Sequence, residues 1–192
     1  LNYMKKRKII GIDYSLTSPA ITECYGEWNQ KNITYYCLAQ NPKQYERWSN
    51  FPRIQLTKYP KYNTEMQRYQ GLATWVSDCI VKHNRRPQTV YIEDYAFAAT
   101  GRVFHIAENM AILKHTLTSW GIKYEMIPPT VIKKYASGKG NAKKEMMYES
   151  FVNDTQRNLI NEFEINSDKN PISDIVDSYW ICKYGYEHGT NT

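Results

Sequence analysis

The amino-acid sequence predicts an α/β fold: a mixed central sheet of three antiparallel strands followed by parallel strands, with helices on both faces. At 192 residues the chain fits one domain over residues 1–192, long enough to bury more than half of its unfolded surface. Three strand-like segments follow one another near the N-terminus, and helix-like and strand-like segments alternate after them. Short connections favour antiparallel pairing, whereas a helical crossover places the next strand parallel.

The first half of the chain supplies the antiparallel strands and then an irregular segment. Strands are predicted at residues 9–14, 20–28 and 33–39, where apolar residues alternate or run together between turn residues. Residues 41–63 contain three prolines among many tyrosine and basic side chains, which predicts a long irregular insertion. Thr64 then predicts the cap of a helix ending near residue 83, because apolar residues recur there at three-and-four spacing.

The second half alternates strands with helices and ends in helices alone. The predicted elements are a strand at 89–93, a helix at 103–120, a strand at 122–127, a short basic helix at 128–136, a helix at 142–153 and a final helix from Pro171 or Ser173. The polar segment up to Asn170 is predicted to be a loop with room for one helical turn. Gly185 or Gly189 is expected to end the final helix.

Composition restricts the class of protein. With 25 basic and 19 acidic residues the net charge is +6 and the pI about 9.0, which suits an anionic partner and ordinary basicity equally well. No apolar run approaches the roughly 20 residues that span a bilayer, and no secretion signal is recognisable. Four scattered cysteines without CxxC spacing predict free thiols in a reducing cytoplasm. We expect residues 1–3 to be a cloning remnant before a natural start at Met4.

Four carboxylates occupy positions from which they can reach one cleft. Asp13 and Glu93 follow the apolar runs of two predicted strands, and Asp174 and Asp177 lie one turn apart on the final helix. Singly, each has a plainer explanation as a turn residue, a strand end or a charge complementing the helix dipole. Together they are the oxygen ligands that Mg²⁺ or Mn²⁺ prefers, and two such ions can activate water for phosphodiester hydrolysis. We therefore predict a metal-dependent nuclease whose catalytic and metal-binding residues are these four.

A group of lysines lies between the predicted strands and the final helix, namely Lys133, Lys134, Lys139, Lys143 and Lys144. These cations can neutralise backbone phosphate and orient the scissile strand against the metal ions. The alternative is a solvated helix face. We favour phosphate contact because the group includes a glycine turn, residues 138–140, whose amide groups can also face an anion.

Four segments together resemble RuvC-like Holliday junction resolvases, which belong to the RNase H-like nuclease superfamily. The resemblance extends from Ile9 to about Gly185, and the segments are Ile9-Ile10-Gly11-Ile12-Asp13-Tyr14-Ser15, Val90-Tyr91-Ile92-Glu93-Asp94, Gly138-Lys139-Gly140-Asn141-Ala142-Lys143-Lys144 and Ser173-Asp174-Ile175-Val176-Asp177-Ser178. It implies an RNase H-like fold and a homodimer that cuts two opposing strands of a four-way DNA junction in recombination and repair. It also implies two Mg²⁺ ions per active site, for which Mn²⁺ substitutes. Asp13 then bridges both ions, Glu93 binds one, and Asp174 with Asp177 holds the other, their individual assignment being open.

The resemblance implies further DNA contacts. An aromatic residue near the junction crossover is expected soon after the strand glutamate, and Tyr95 or Phe97 occupies that place here, with core packing as the alternative. Arg102 and His105 are candidate DNA contacts or simply a polar helix start. The 41–63 insertion departs from the bacterial form and can contact junction arms, broaden the range of branched substrates or serve the dimer. A phage-encoded relative is compatible with this departure, so the expected location is the cytoplasm of a bacterial cell or phage-infected host.

Three other classes compete with this interpretation. Actin-like and sugar-kinase ATPases also place an aspartate after their first strand, but they need a second lobe and a glycine-rich adenosine segment, so no nucleotide cofactor is expected. A non-catalytic junction-binding module does not need four acids, since carboxylates near phosphate weaken binding. An RNase H-like nuclease acting on RNA or on an RNA–DNA hybrid stays open, because the same acidic residues serve those substrates.

Overall fold

The computed structural model describes residues 7–95 and 103–189, except for the side chain of residue 84. Within these residues the strands are β1 Lys8–Asp13, β2 Ala20–Tyr25, β3 Ile33–Ala39, β4 Ile54–Lys58, β5 Thr89–Glu93 and β6 Tyr124–Ile127. The α-helices are α1 Pro42–Trp48, α2 Glu65–Ile80, α3 Val103–Ser119, α4 Pro129–Ser137, α5 Lys144–Thr155, α6 Leu159–Phe163 and α7 Ile172–His188. Two short 3₁₀ turns, Gln30–Asn32 and Lys82–Asn84, precede β3 and follow α2.

The six strands form one sheet in the order β4-β3-β2-β1-β5-β6. β1 pairs antiparallel with β2, and β2 with β3, whereas β5 joins β1 and β6 joins β5 in parallel. The helices α2 and α3, which precede β5 and β6, supply the crossovers that parallel pairing requires. This arrangement confirms the predicted mixed sheet, in which antiparallel strands are followed by parallel ones.

Residues 41–63 are not irregular, and here the prediction was wrong. They contain α1 and β4, and β4 pairs in parallel with β3 at the edge of the sheet. Pro42 occupies the first turn of α1, where its missing amide hydrogen is not needed, and Asn41 caps the helix by accepting a hydrogen bond from Gln44 N at 2.9 Å. Pro52 and Pro60 lie on either side of β4. The prolines therefore delimit two short elements, which proline content alone does not distinguish from a loop.

Most other predicted elements are present with shifted ends. β3 and β5 have the predicted bounds, and α6 is the helical turn expected before Asn170. Thr64 caps α2 as predicted, since its Oγ1 accepts a hydrogen bond from Gln67 N at 3.2 Å. The final helix passes through Gly185 and ends at Gly189. Gly185 is needed for packing instead, because a Cβ there would overlap the ring of Tyr91.

Helices cover both faces of the sheet, as predicted. On one face α7 packs across β1, β2 and β5 beside α4, α5 and α6, and this core buries Tyr35, Phe151 and Tyr179. On the other face α2 and α3 pack together over a core that includes Leu72 and Leu113. Alternate residues of β1 divide between the two cores, because successive side chains of a strand point to opposite faces.

Much of the aromatic content and all of the cysteines belong to the interior. The Tyr179 ring lies within 5.0 to 5.5 Å of the rings of Trp28, Phe151 and Trp180. The four cysteines are buried as free thiols. In the part of the chain that the structure describes, no helix has the length and apolar character needed to cross a membrane.

Candidate active site

Asp13 and Glu93 lie side by side at one end of the sheet. β1 and β5 are parallel neighbours in which Ile12 pairs with Ile92, so that the next residue of each strand is one of the two acids. Neighbouring strands are about 4.8 Å apart. Both acidic side chains belong to the face that α7 covers, since side chains alternate along a strand and the residues two positions earlier meet that helix.

Close packing of α7 on β1 depends on a glycine. A Cβ on Gly11 would overlap backbone atoms of Ser178 and Cys182 in α7. The Cys182 thiol lies 3.6 Å from the carbonyl oxygen of Ile9, and Ser178 Oγ lies 2.8 Å from Thr22 Oγ1 on β2. These contacts show that α7 runs antiparallel to β1 and fix its position along the strand.

This alignment carries the two helical aspartates to the acidic end of β1. The chain advances about 13 Å from Ile9 to Asp13 along the strand. It covers about 12 Å from Cys182 back to Asp174 along the helix. Asp174 therefore lies level with Asp13, and Asp177 lies about one turn nearer Cys182 on the same side of α7. We call Asp13, Glu93, Asp174 and Asp177 the acidic cluster.

Burial acts on every carboxylate of the acidic cluster, and repulsion from neighbouring carboxylates adds to it at Asp13, Glu93 and Asp174. Burial raises the pKa of Asp13 well above its usual value, and the other three carboxylates raise it further. Burial, with a contribution from Asp177, raises the pKa of Glu93 to about 7. Burial likewise raises the pKa of Asp174 to about 7 and that of Asp177 to about 6. The four carboxylates thus belong to one electrostatic unit in which full ionisation is unfavourable.

One fully buried oxygen of the cluster has no hydrogen-bond partner among the described residues. Asp174 is only 7% exposed, and its Oδ2 atom makes no hydrogen bond to any described residue. A hydrogen bond from the Ser18 side chain lowers the pKa of this carboxyl, but burial outweighs it. Leaving a buried acceptor unpaired costs about 1 to 3 kcal/mol, and more for a charged group. The oxygen is therefore suited to a cationic partner.

Two of the predicted lysines face the acidic cluster. Lys144 lowers the pKa of the three aspartates, and its Nζ donates a hydrogen bond to Ser173 Oγ at 3.2 Å. Lys133 lowers the pKa of Glu93 and Asp177. Since all four pKa values stay raised or close to neutral, these two cations offset only part of the repulsion.

A glycine turn brings the lysine-bearing helices together. Gly138 ends α4 in the left-handed conformation with φ of 79°, and the chain then turns into α5. Lys133, Lys143 and Lys144 consequently line one cavity with Glu93 and Asp177. Lys134 and Lys139 are exposed and do not line this cavity. The structure thus gathers three of the five predicted lysines beside the acids.

The other predicted DNA contacts are placed differently. Tyr95 lines a neighbouring cavity together with Asp13 and Glu93. His105 lies in α3, where its Nδ1 atom and Tyr69 OH are hydrogen-bonded at 2.7 Å. Phe97 and Arg102 lie outside the described residues, so their DNA contacts stay predictions.

The donor set fits a hard divalent cation, although the side chains are not gathered around a single point. Carboxylates are typical Mg²⁺ ligands, and a positive charge relieves both the raised pKa values and the unpaired Asp174 oxygen. Among residues 7–95 and 103–189, no three acidic, histidine or cysteine side chains converge closely enough to hold a metal ion. Charges shift each other's pKa over several ångströms, whereas Mg²⁺ coordination needs about 2.1 Å. These side chains would therefore have to rotate inward to hold such an ion.

Sequence reasoning missed two serines that follow Asp13. Ser18 is buried close enough to Asp174 to lower the pKa of that carboxyl, and its backbone N–H donates to Ser15 Oγ at 3.0 Å. Ser15 in turn lines the cavity that contains Asp13. Two serines three residues apart favour a local side-chain to backbone hydrogen bond, so this part had a sequence signal. The contact with Asp174 depends on the docking of α7 and had none.

Similar solved structures extend over nearly the whole chain, whereas no protein-family model and no curated protein matches it. RuvC of Thermus thermophilus has a TM-score of 0.60 at 14% identity, covering 95% of this chain and 97% of that one. T. thermophilus RuvC in complex with Holliday junction substrate has a TM-score of 0.62 at 12% identity, covering 96% and 97%. Fowlpox virus resolvase in complex with substrate Holliday junction DNA has a TM-score of 0.54 at 14% identity, covering 94% and 97%. The chain therefore has the fold of RuvC-like Holliday junction resolvases, as the sequence resemblance predicts.

Proposed function

We propose that this chain is a metal-dependent endonuclease that cuts four-way or other branched DNA junctions by phosphodiester hydrolysis. The observation that carries the proposal is the acidic cluster, in which carboxylates from β1, β5 and α7 lie at one end of the sheet. Burial there, together with repulsion from neighbouring carboxylates, raises the pKa of Asp13 and Glu93. The shared fold supports it, since two of the similar structures contain Holliday junction DNA.

In this proposal the acidic cluster holds two divalent ions, Mg²⁺ with Mn²⁺ as a substitute. Such ions polarise water and stabilise the charge that develops on the departing oxygen. Asp13 neighbours Glu93 on the adjacent strand and Asp174 on the helix, which supports a role for Asp13 as the ligand shared by both ions. The unpaired Oδ2 atom of Asp174 gains a partner when a cation binds.

The lysines beside the cluster bind the DNA backbone. A phosphate that approaches four carboxylates is repelled unless positive charge is present, and Lys133, Lys143 and Lys144 supply it in the same cavity. Tyr95 lies beside Asp13 and Glu93, where its ring can stack on a base exposed at a branch point.

A homodimer suits a four-way junction. An isologous pair presents two identical active sites to two equivalent strands, so both cuts can be made with the same geometry. Light scattering of the protein alone and bound to a junction tests this part. We expect two copies of the chain on each junction.

The decisive experiment compares cleavage of a four-way junction, a flap, a linear duplex and an RNA–DNA hybrid at matched Mg²⁺ and salt. We expect the junction to be cut fastest, with cuts on two opposing strands, and cleavage to stop when a chelator is added. Preferred cleavage of the hybrid supports the RNase H-like alternative instead. Junction binding without cleavage in both Mg²⁺ and Mn²⁺ supports a non-catalytic module.

Two substitutions test whether the acidic cluster is the active site. Asp13→Asn and Glu93→Gln should each reduce cleavage on the order of 100-fold or more, while junction binding persists. Asp154→Asn is the matched control, because Asp154 is a carboxylate paired with Lys183 at 2.7 Å outside the cluster. Cleavage that is unaffected by either of the first two substitutions would refute the assignment.

A further inference from the structure

The connection between β1 and β2, residues 14–19, leads directly from the acidic end of β1 and is held by side chains from other elements. The Leu16 carbonyl oxygen accepts two hydrogen bonds, from Tyr59 OH at 2.6 Å and from Arg68 Nη2 at 3.2 Å. The next carbonyl, that of Thr17, accepts a hydrogen bond from Gln40 Nε2 at 2.6 Å. Three side chains therefore fix two consecutive peptide groups.

The two donors to Leu16 also bind each other. Arg68 Nε donates to Tyr59 OH at 2.8 Å, and its guanidinium lies 5.7 Å and 5.1 Å from the ring centres of Tyr59 and Tyr62. Arg68 is only 7% exposed, and the ion pair that it forms with Glu65 at 3.5 Å is partly exposed. Burying a guanidinium with so weak an ion pair costs stability. The planar guanidinium of Arg68 can, however, donate hydrogen bonds to two oxygens at fixed positions.

The position of Tyr59 is set by the edge strand. Its backbone N–H donates to the Ala39 carbonyl oxygen at 2.9 Å, which continues the parallel pairing of β4 with β3 by one residue. This pairing at the end of β4 places the Tyr59 hydroxyl next to the Leu16 carbonyl oxygen. The segment at 41–63, whose role the sequence left open, thus reaches the connection that follows Asp13.

The same connection carries the two serines that neighbour the acidic cluster. The Ser18 side chain is close enough to Asp174 to lower the pKa of that carboxyl, and Ser15 lines the cavity with Asp13. The Ser18 backbone N–H donates a hydrogen bond to Ser15 Oγ at 3.0 Å, which joins the two residues. Leu16 lies between them in sequence. Any displacement of the Leu16 peptide therefore moves both serines relative to the carboxylates.

We propose that Tyr59 and Arg68 are positioning residues of the acidic cluster, and this inference rests on the proposed function. By fixing the Leu16 carbonyl they hold the connection so that Asp13 and Asp174 keep the spacing from which they can rotate onto metal ions. They act through the backbone of residues 14–19 and contact neither the ions nor the DNA. The role of the 41–63 segment is then to stabilise, from the edge of the sheet, the position of the connection that follows Asp13.

Tyr59→Phe tests the proposal, because it removes one hydroxyl and keeps the ring. Tyr148→Phe is the matched control, since Tyr148 OH also has two partners, Asn158 Oδ1 at 3.1 Å and Ile160 N at 3.0 Å, which lie on the α5 and α6 side of the molecule. Mn²⁺ binding to the full chain without DNA is measured by titration calorimetry. We expect the affinity to fall about tenfold in Tyr59→Phe and less than about twofold in Tyr148→Phe. The metal-free Tm should fall by similar amounts in both variants.

Arg68→Lys provides a second variant, which keeps the positive charge but lacks the planar guanidinium with its separate donor groups. It should weaken Mn²⁺ binding to a similar extent as Tyr59→Phe. The double variant should bind little more weakly than either single variant, because both side chains act on one carbonyl group. In cleavage assays the Mn²⁺ concentration at half-maximal rate should rise about tenfold, with the rate at saturating Mn²⁺ within about twofold of wild type.

The outcomes separate this inference from the proposed function. Unchanged Mn²⁺ affinity in Tyr59→Phe overturns the positioning role, while the proposed function stands if the wild type binds Mn²⁺ and cleaves the junction. Equal losses in Tyr59→Phe and Tyr148→Phe assign the effect to general destabilisation and also overturn it. A wild-type protein that neither binds Mn²⁺ nor cleaves overturns the proposed function and this inference together.

Discussion

At the residue scale, two groups of buried charges behave differently. Lys8 Nζ lies 3.2 Å from Glu23 Oε2, and Tyr36 OH donates a hydrogen bond to the same carboxylate at 3.0 Å, so this charge is paired within the fold. In the acidic cluster, burial raises the pKa of every carboxylate and neighbouring carboxylates raise that of Asp13 further, while Lys133 and Lys144 offset only part of these effects. A structural role accounts for the Lys8–Glu23 pair. The acidic cluster costs stability that the protein itself does not fully compensate, which is typical of a ligand site.

Asp174→Asn should therefore stabilise the metal-free protein. A carboxyl whose pKa is higher in the folded state than in the unfolded state weakens the fold whenever it is ionised, and the neutral amide removes that charge. We expect the Tm in chelator to rise by roughly 2 to 4 °C for each kcal/mol gained. In Mn²⁺ the wild type should instead have the higher Tm, because it gains stability from the bound metal and the variant does not. Scanning calorimetry in the two buffers measures both effects.

The opposite change in Tm is expected when the substituted aspartate is paired with a lysine. Asp154 binds Lys183 at 2.7 Å and accepts a hydrogen bond from Tyr179, so Asp154→Asn should lower the Tm in chelator and in Mn²⁺ alike. If Asp174→Asn also lowers the Tm in chelator, the burial and repulsion of the Asp174 charge do not outweigh its favourable contacts, and the electrostatic interpretation fails.

At the element scale, the docking of α7 on β1 decides where the acids meet. Gly11 lets the helix backbone approach the strand, and the buried hydrogen bond between Thr22 and Ser178 fixes its position along the neighbouring strand. A helix that slid by one turn would break both contacts. Asp174 and Asp177 are consequently held beside the strand ends by the packing of α7 against β1 and β2.

Gly11→Ala should be strongly destabilising for this reason. The added Cβ meets backbone atoms of α7, which cannot rotate away as a side chain can. We expect a loss of about 3 kcal/mol or more in the free energy of unfolding, measured by urea unfolding followed by circular dichroism. Gly138→Ala is the control: its Cβ has open space, but the left-handed backbone costs about 1 kcal/mol. A Gly11→Ala loss no larger than that of the control would contradict the close-packing argument.

At the scale of the whole molecule, positive charge is arranged next to the acidic end of the sheet. The helices α4 and α5 and the turn between them carry the five predicted lysines, three of which line the cavity with Glu93 and Asp177. The net charge of +6 is modest, so its placement matters more than its size. In the proposed function, this charge attracts a DNA backbone to the end of the sheet that bears the carboxylates.

Lys139→Ala tests this arrangement at the exposed turn. If Lys139 contacts a phosphate, the slope of the logarithm of junction affinity against the logarithm of salt concentration should decrease in magnitude by about 0.9. Fluorescence anisotropy with a labelled four-way junction measures the slope. Lys31→Ala removes the same charge at the opposite end of the sheet and should leave the slope unchanged. An unaltered slope in Lys139→Ala shows that this lysine makes no phosphate contact.

Local patterns predicted the elements but not every role that they play. The alternating residues at 33–39 and the apolar run at 89–93 gave strands with the observed bounds, because burial on a sheet selects such residues directly. The 41–63 segment was misjudged, since prolines that bound a helix and a strand look like prolines within a loop. Gly185 was considered a helix end, although its function is to make room for Tyr91 from a strand distant in sequence.

The sequence by itself determined the mixed sheet and the position of each acid at a strand end or on the last helix, because periodicity and turn residues are local properties. Only the tertiary structure decided that α7 lies antiparallel to β1, with Asp174 level with Asp13. It also decided that Tyr59 and Arg68 donate hydrogen bonds to the Leu16 carbonyl oxygen. Those arrangements depend on close packing between segments far apart along the chain. Such packing is set by shape and hydrogen bonding in three dimensions, which no local pattern encodes.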